Sequence, residues 1–290
     1  MVKDHVVKFI DRLIRWYHYY RRRILQLYKR AYTHSHTDHI RFFDLELPQH
    51  PRFQDPVRLL CYGAQVNSKN YEDGMVQEIF RRIGTKNKVF VEIGVGDGTE
   101  NNTAFLLSTG WTGFWIEGGD RYERALKGRT DLADSLVVHK AFVSRENIGS
   151  LYHDLNVPHG FDFFSLDIDQ NTFYVWAGLE RTPFRPRVVV VKYNAAIPPP
   201  IRWAVRYDPK RMWDNTQNFG ASLSAFEDLG RSMGYKLVGC DFTGTNAFFV
   251  RDDCASNTFK APFTAENHHE PPRYHLYHTR VHKRAILDRS

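Results

Sequence analysis

The stretch Val89-Phe-Val-Glu-Ile-Gly-Val-Gly-Asp-Gly-Thr-Glu100 joins a short apolar run to three glycines at alternate positions. Residues 89–93 predict a strand that is buried on both faces, and a helix is expected to begin near Thr99. Glycine lets the backbone approach a ligand closely, and the first N–H groups of a helix have no partner within the helix. The stretch therefore predicts a cradle for a nucleotide-like ligand. The alternative is a glycine-rich turn without a ligand.

The spacing of the glycines separates two classes of nucleotide-binding domain. Gly94, Gly96 and Gly98 follow Glu92 in the pattern E-x-G-x-G-x-G, whereas dinucleotide-binding domains carry G-x-G-x-x-G. The pattern resembles motif I of class I S-adenosylmethionine-dependent methyltransferases. This resemblance implies that Glu92 and the three glycines bind S-adenosylmethionine.

Composition limits the class of protein. The 290 residues are 42% hydrophobic and 14% aromatic, which is enough for one large α/β domain with appendages. No apolar run reaches the roughly 20 residues of a membrane span, and no signal-peptide pattern opens the chain. The three widely spaced cysteines, Cys61, Cys240 and Cys254, indicate a reducing compartment without disulfides. A cytoplasmic location is therefore expected.

The positive charge is concentrated in residues 1–30. The formal net charge of the chain is +7, and this segment carries nine Lys or Arg against two Asp, so the remainder is balanced. A basic nucleic-acid-binding face on the folded domain is therefore not indicated. Apolar residues at 4-3 spacing from Val6 to Ala31 predict one helix over residues 4–31.

Three uses of this N-terminal helix stay open. Its apolar stripe could pair with a second copy as a coiled coil, which the register over three heptads favours slightly. The helix could instead lie on the anionic inner face of a membrane, or dock on its own domain.

A second group of motifs surrounds the glycine-rich stretch. Polar residues precede a predicted helix that has one apolar face and ends at Gly84. Together with the residues after the glycines, these motifs resemble the FkbM-type methyltransferase family over residues 61–253. They are Ser68, Asn70, Glu72-Asp73-Gly74 and Glu100-Asn101-Asn102-Thr103.

The resemblance implies a fold, an activity and site residues. The fold is an α/β, Rossmann-like class I methyltransferase fold, and the activity is O-methylation of a sugar, glycan or related small hydroxyl compound. The resemblance also assigns Asn102 to the cofactor site. Lys69 and Tyr71 stand where Gln and Gly are common in the family.

The next two predicted strands lead to candidate cofactor residues. Residues 112–117 form an apolar run that ends in Glu117, 19 residues after Gly98. An acid at the tip of the second strand of a nucleoside-binding α/β fold accepts hydrogen bonds from the ribose hydroxyls, so Glu117 is predicted to bind the ribose. A third strand over residues 135–141 leads to Phe142, which is predicted to form part of an apolar wall around the adenine.

Two acids stand together after the fourth predicted strand. Asp167 and Asp169 occupy the strand end at which open α/β sheets bind ligands. Two carboxylates so close require compensation by a cation, by the sulfonium charge or by a shared proton. We expect Asp167 to contact the cofactor, and one of the two to orient the acceptor or take its proton. The alternative for Asp169 is a helix N-cap.

The fifth predicted strand, residues 187–192, ends at Lys192, whose positive charge is opposite to that of the two acids. In family relatives, an acid is expected at the position of Lys192. Such an acid, together with Asn194 and the acid after strand four, would resemble the magnesium site of metal-dependent O-methyltransferases. Lys192 would repel a divalent ion and pair with Asp167 or Asp169 instead, so no metal ligand is predicted and magnesium is the less favoured alternative. Lys192 and Asn194 are candidate catalytic residues, and Lys192 could act as a base only if burial lowers its pKa.

The last predicted elements distinguish the two nucleotide-binding folds. A helix over residues 219–234 precedes two strands, residues 235–241 and 246–251, whose short connection requires an antiparallel hairpin. A mostly parallel seven-stranded sheet closed by such a hairpin is the usual ending of class I methyltransferases, whereas dinucleotide-binding domains are parallel throughout. The hairpin therefore favours S-adenosylmethionine over NAD.

The partner is expected to be a small molecule or a glycan. Residues 195–218, rich in aromatic and basic side chains, are expected to form a substrate-recognition insertion at the mouth of the site. Nucleic acid is not expected, because the fourth strand lacks the Asn/Asp-Pro-Pro-Tyr sequence of methyltransferases that act on bases. Two alternatives stay open: a weak or inactive binding or scaffolding module marked by Lys192, and a metal-dependent enzyme of other chemistry on the same fold.

The sequence thus predicts four segments. The last is histidine-rich, yet zinc is not expected there because cysteine and acidic partners are missing nearby. The segments are a basic helix (1–32), a linker (33–60), a methyltransferase domain (61–253) and a C-terminal extension (254–290).

Overall fold

The computed structural model contains two units, residues 1–51 and residues 52–290. In the first unit, the described residues between 16 and 27 are helical and exposed, and helical turns follow at Phe42–Glu46 and Leu47–Gln49. Most of the predicted helix over residues 4–31 lies outside the described residues, as do the last sixteen positions of the histidine-rich segment. The structure describes residues 16–17, 19–21, 23–24, 26–27, 37–38, 41–119, 132, 134–255 and 257–274.

A seven-stranded sheet forms the centre of the second unit. Its strands are β1 (Val89–Ile93), β2 (Thr112–Glu117), β3 (Leu136–Lys140), β4 (Phe163–Leu166), β5 (Val188–Lys192), β6 (Tyr235–Cys240) and β7 (Asn246–Arg251). They lie in the order β3-β2-β1-β4-β5-β7-β6, with β1 to β5 parallel and β7 antiparallel to β5 and β6. The predicted fold, a mostly parallel sheet closed by an antiparallel hairpin, is confirmed.

Helices cover both faces of this sheet. They are α1 (Glu72–Ile83), α2 (Ala104–Ser108), α3 (Ile148–Asp154), α4 (Thr172–Ala177), α5 (Leu223–Ser232) and α6 (Ala265–His268). Short helical turns at Pro51–Gln54 and Leu59–Tyr62 precede α1. Among the described helices, none combines the length and the apolar character that crossing a membrane requires.

Strand β5 shows why the core has two layers. Its four consecutive valines are all buried, and successive side chains of a strand point to opposite faces. Val189 and Val191 pack in the core beneath α3, α4 and α5, whereas Val188 and Val190 pack in the core beneath α1 and α2. A run of β-branched residues without polar alternation therefore specifies a central strand that is covered on both sides.

The start of α2 differs from the expectation. A helix was expected from about Thr99, but regular helix begins only at Ala104. The preceding turn is held from outside by the Glu92 carboxylate, which accepts hydrogen bonds from the backbone N–H groups of Asn102 and Thr103 at 3.0 Å each. The glycine turn is thus followed by a structured bend and not by a helix N-terminus.

Residues after β7 fold back on the sheet. The Tyr193 hydroxyl, directly after β5, donates to the carbonyl of Glu270 at 2.7 Å. The N–H of Arg273 donates to the carbonyl of Thr243 in the β6–β7 connection at 2.8 Å. These contacts carry the chain as far as Tyr274 to the carboxyl end of β5.

Candidate functional site

A cavity of about 560 Å³ opens at the carboxyl ends of β1, β4 and β5. Gly94 and Gly96 line it from β1, Asp167 and Asp169 from β4, and Lys192 from β5. These are the strand ends at which open α/β sheets bind ligands, because the helices that follow leave the sheet edge accessible there.

The cavity is strongly acidic. Among the described residues that line it, the basic side chains are Lys69 and Lys192. They are outnumbered by six acids: Glu72, Glu92, Asp97, Glu100, Asp167 and Asp169. Burial raises the pKa values of Glu72 and Glu92, so the negative charge rests mainly on the other four acids. These still outnumber the lysines, and the cavity therefore favours a cationic ligand over an anionic one.

The glycine turn gives the cavity its floor. At Gly94 (φ +88°) a Cβ would stand 2.2 Å from the carbonyl oxygen of Asp167, so β1 and β4 approach too closely for any side chain. At Gly96 (φ +61°) no atom lies within 4 Å of the Cβ position, so this glycine leaves open space beside the backbone. Gly98 lies outside the lining and packs against Trp115, whose ring is 2.5 Å from the position of its missing Cβ.

Glu92 lies beneath this floor as the organising residue of the bend after the turn. Its buried carboxylate accepts hydrogen bonds from Thr103 Oγ1 (2.6 Å), Asn101 Nδ2 (2.7 Å) and Ser165 Oγ (3.1 Å), besides the two backbone bonds described above. Burial raises the pKa of Glu92 to about 7, against the opposing effect of these donors. Asn102 lines the cavity, and its Nδ2 donates to Ser165 Oγ at 3.1 Å.

Glu117 and Phe142 lie beside the cavity and not in its lining. The Glu117 carboxylate accepts the N–H groups of Gly96 and Gly119, each at 2.8 Å, and thereby fixes the glycine turn. Phe142 is 69% exposed, and its ring lies next to Gly118. The residues predicted for the ribose and the adenine thus flank the turn on the β2–β3 side.

Lys192 joins the two acids of β4. Its Nζ lies 3.1 Å from Asp167 Oδ1 and 2.9 Å from Asp169 Oδ1, so the expected ion pair is present with both acids. Burial lowers the pKa of Lys192, but the two carboxylates outweigh burial and raise this pKa above its ordinary value. The condition for Lys192 to act as a base is therefore not met.

The hydrogen-bond partners around Asp169 and Asn194 show what holds this part of the site together. The residue that caps α4 is Asn171, and no side-chain capping bond is present, so the N-cap alternative for Asp169 is wrong. Asn194 is buried outside the lining, and its Nδ2 donates to the carbonyls of Gln217 (2.8 Å) and Phe219 (3.0 Å). It holds the end of the predicted substrate-recognition insertion in place.

The segment before α1 forms one wall of the cavity through Lys69, Asn70 and Glu72. Asp73 shapes this segment, because its buried carboxylate accepts three backbone N–H groups from residues 66–68 at 2.7 to 2.8 Å. Tyr71 adopts a left-handed conformation (φ +71°) that glycine adopts without strain. The family resemblance marked this segment, but nothing in its sequence pointed to a cavity wall.

Four aromatic residues also line the cavity. Trp213 comes from the insertion after β5 and Phe219 directly follows it; Tyr193 follows β5, and Tyr274 comes from the segment that folds back. Trp213 is 43% exposed, and its ring lies edge-on to Phe219 with centroids 6.0 Å apart. Sequence reasoning placed the insertion here but missed Tyr274, which no local pattern marks.

A metal centre would need several His, Cys, Asp or Glu side chains close together in the part of the chain that the structure describes. No set of three or more His, Cys, Asp and Glu side chains there could hold a metal ion. The acids of β4 contact the Lys192 ammonium, which already supplies a positive charge between them.

Known proteins resemble this chain in structure only. No family model and no curated protein matches the sequence, so the FkbM-type assignment stays a resemblance of motifs. A putative sarcosine dimethylglycine methyltransferase from Galdieria sulphuraria is 14% identical (TM-score 0.32; 62% of this chain, 69% of that chain). The METTL16 MTase domain is 13% identical, with a TM-score of 0.40 over 62% of this chain and 66% of that chain. The N-terminal domain of EvdMO1 with SAH bound is 11% identical, with a TM-score of 0.40 over 62% of this chain and 79% of that chain. At these TM-scores we base the fold on the strand order of this chain alone.

Proposed function

We propose that this protein is an S-adenosylmethionine-dependent methyltransferase that methylates a hydroxyl group of a sugar, glycan or related small molecule. The observation that carries the proposal is the acidic cavity over a glycine turn at the carboxyl ends of β1 and β4. The cofactor has a sulfonium and an ammonium group, and the accessible acids Asp97, Glu100, Asp167 and Asp169 outnumber the two lysines, which favours such a ligand.

The residues around the turn suit an adenosine-bearing cofactor. Gly96 leaves room for close approach of a ligand to the backbone, since no atom lies within 4 Å of its Cβ position. The Glu117 carboxylate accepts the N–H of Gly96 and therefore lies next to that space. There it can accept hydrogen bonds from the ribose hydroxyls. Phe142 offers an exposed ring on the same side for the adenine.

In methyl transfer the protein has two main tasks: it positions the reactants, and it accepts a proton from the acceptor hydroxyl. When bound, S-adenosylmethionine supplies the activated methyl group. An acceptor oxygen must be held about 3 Å from that methyl group and in line with the bond that breaks, and such placement supplies much of the rate. Asp167 and Asp169 are the groups that can take the hydroxyl proton, because Lys192 remains protonated.

The aromatic side of the cavity supports a ring-shaped acceptor. Trp213 and Phe219 line the same cavity as the two acids, and a partly exposed indole is suited to stacking against the apolar face of a sugar. An acceptor held there would present its hydroxyls toward Asp169 and Asp167.

The proposal is tested by calorimetric titration with S-adenosylhomocysteine of the wild type, Gly96→Ala and Gly110→Ala. Both glycines have positive φ and open space at the Cβ position, but only Gly96 lines the cavity. We expect Gly96→Ala to weaken binding at least about tenfold, equivalent to roughly 1.4 kcal/mol, and Gly110→Ala to leave it unchanged.

Methyl transfer to a panel of sugars and glycans is then measured with labelled S-adenosylmethionine. Transfer to a hydroxyl supports the enzyme. Cofactor binding without transfer to any acceptor favours the non-catalytic binding module, and equal binding by wild type and Gly96→Ala contradicts the assigned cofactor site.

A further inference from the structure

The contact between Lys192 and the acids of β4 is built on rigid elements. Strands β4 and β5 are parallel neighbours with Leu166 opposite Val191, so the next residues are Asp167, directly after β4, and Lys192, the last residue of β5. The backbone N–H of Asp167 donates to the carbonyl of Ile93 at 3.0 Å, which ties the tip of β4 to β1. The ammonium and the Asp167 carboxylate therefore meet at the ends of two neighbouring strands, and Asp169 reaches the same ammonium from the turn before α4.

The ammonium occupies the place of a bound cation. Both Asp oxygens lie about 3 Å from one nitrogen atom, and all three side chains are partly accessible, Lys192 at 26% and the two acids at 36%. Divalent ions such as magnesium or manganese bind through one or two carboxylates plus water molecules, at oxygen distances of roughly 2.0–2.6 Å. Two convergent carboxylates at the edge of a water-accessible cavity meet that requirement once the ammonium is removed.

We propose that Lys192 is a built-in cation that replaces a divalent metal ion between Asp167 and Asp169, and that its removal converts these acids into a metal site. The other charged groups that line the cavity are mainly acids, Glu92, Asp97 and Glu100 among them, and they outnumber Lys69, so the lining on balance attracts an incoming cation. The high pKa of Lys192 agrees with this role, since the side chain keeps its charge at every physiological pH.

This inference is independent of methyl transfer, because it concerns the protein without cofactor. Manganese binding to the full chain is measured by electron paramagnetic resonance for the wild type, Lys192→Arg, Lys192→Met and Lys192→Glu. We expect Lys192→Glu to bind manganese at least about tenfold more tightly than the wild type, and Lys192→Met to show a smaller gain in the same direction. Lys192→Arg keeps the positive charge and should bind as weakly as the wild type.

A second substitution assigns the site. Adding Asp169→Asn to Lys192→Glu should return manganese binding to the level of the wild type, and circular dichroism confirms that each variant is folded. The proposal is overturned if the wild type binds manganese as tightly as Lys192→Glu. It is also overturned if neither Lys192→Glu nor Lys192→Met, whichever is folded, gains affinity.

Discussion

Gly94 lines the cavity at a position that has no room for a side chain. In Gly94→Ala the new Cβ would lie 2.2 Å from the carbonyl oxygen and 2.8 Å from the carbonyl carbon of Asp167. Ordinary contacts between such atoms are near 3.5 Å, so the tips of β1 and β4 must separate by about 1 Å. That separation breaks the hydrogen bond from the N–H of Asp167 to the carbonyl of Ile93.

The expected loss of free energy of unfolding in Gly94→Ala is the sum of three contributions. A side chain in left-handed backbone costs about 1–2 kcal/mol, overpacking about 1–3 kcal/mol, and the lost hydrogen bond about 1 kcal/mol. Their sum, roughly 3–6 kcal/mol, is a large part of the 5–15 kcal/mol that stabilises an ordinary domain. Gly110→Ala is the matched control, because Gly110 has φ +82° and no atom within 4 Å of its Cβ position. It should lose only the backbone contribution.

Equilibrium unfolding in urea, followed by the fluorescence of the buried Trp115 and Trp176, measures both variants. We expect the free energy of unfolding to fall by at least about 2 kcal/mol more for Gly94→Ala than for Gly110→Ala. Equal losses in the two variants would refute the close approach of β1 and β4 and, with it, the reason for a glycine at this position.

Two further predictions concern the acceptor side of the cavity and the buried acids behind it. Trp213→Ala should raise the KM for the acceptor about tenfold, because it removes a stacking surface, while the Kd of S-adenosylhomocysteine stays the same. Steady-state kinetics measure the KM and calorimetry measures the Kd. A higher Kd for S-adenosylhomocysteine in this variant would contradict the assigned role. Burial and the neighbouring Glu72 raise the pKa of Asp241 to about 8, so the folded protein keeps a proton that the unfolded chain releases above a pH of about 4. The free energy of unfolding should therefore fall as pH rises from about 4 to about 8. Asp241→Asn should reduce the slope of this free energy against pH by up to roughly 1.4 kcal/mol per pH unit. If urea unfolding gives the same slope for the variant and the wild type, the pKa of Asp241 is not raised.

The sheet could be predicted from the sequence because its strands carry their own signal. The valines of β5 have no polar alternation, and the connection before Asn246 is too short for anything but a hairpin, so strand type and direction were readable locally. The pairing of Lys192 with Asp167 and Asp169 also followed, since carboxyl ends of neighbouring parallel strands meet at one edge.

What could not be predicted depends on contacts between distant residues. The late start of α2 is set by Glu92, which belongs to the preceding strand and reaches forward to the backbone of the bend. Tyr274 reaches the cavity only because the chain after β7 is anchored to Tyr193 and Thr243. Neither arrangement leaves a periodic or compositional pattern, because each rests on single hydrogen bonds between separate segments.

A crystal structure of the protein with S-adenosylhomocysteine tests the central claim most directly. The account predicts the adenosine beside the turn at Gly96, with the ribose hydroxyls donating to Glu117 and the sulfur directed toward Asp167. Ligand bound at saturating concentration anywhere else, or a cavity that stays free of ligand under that condition, would contradict it.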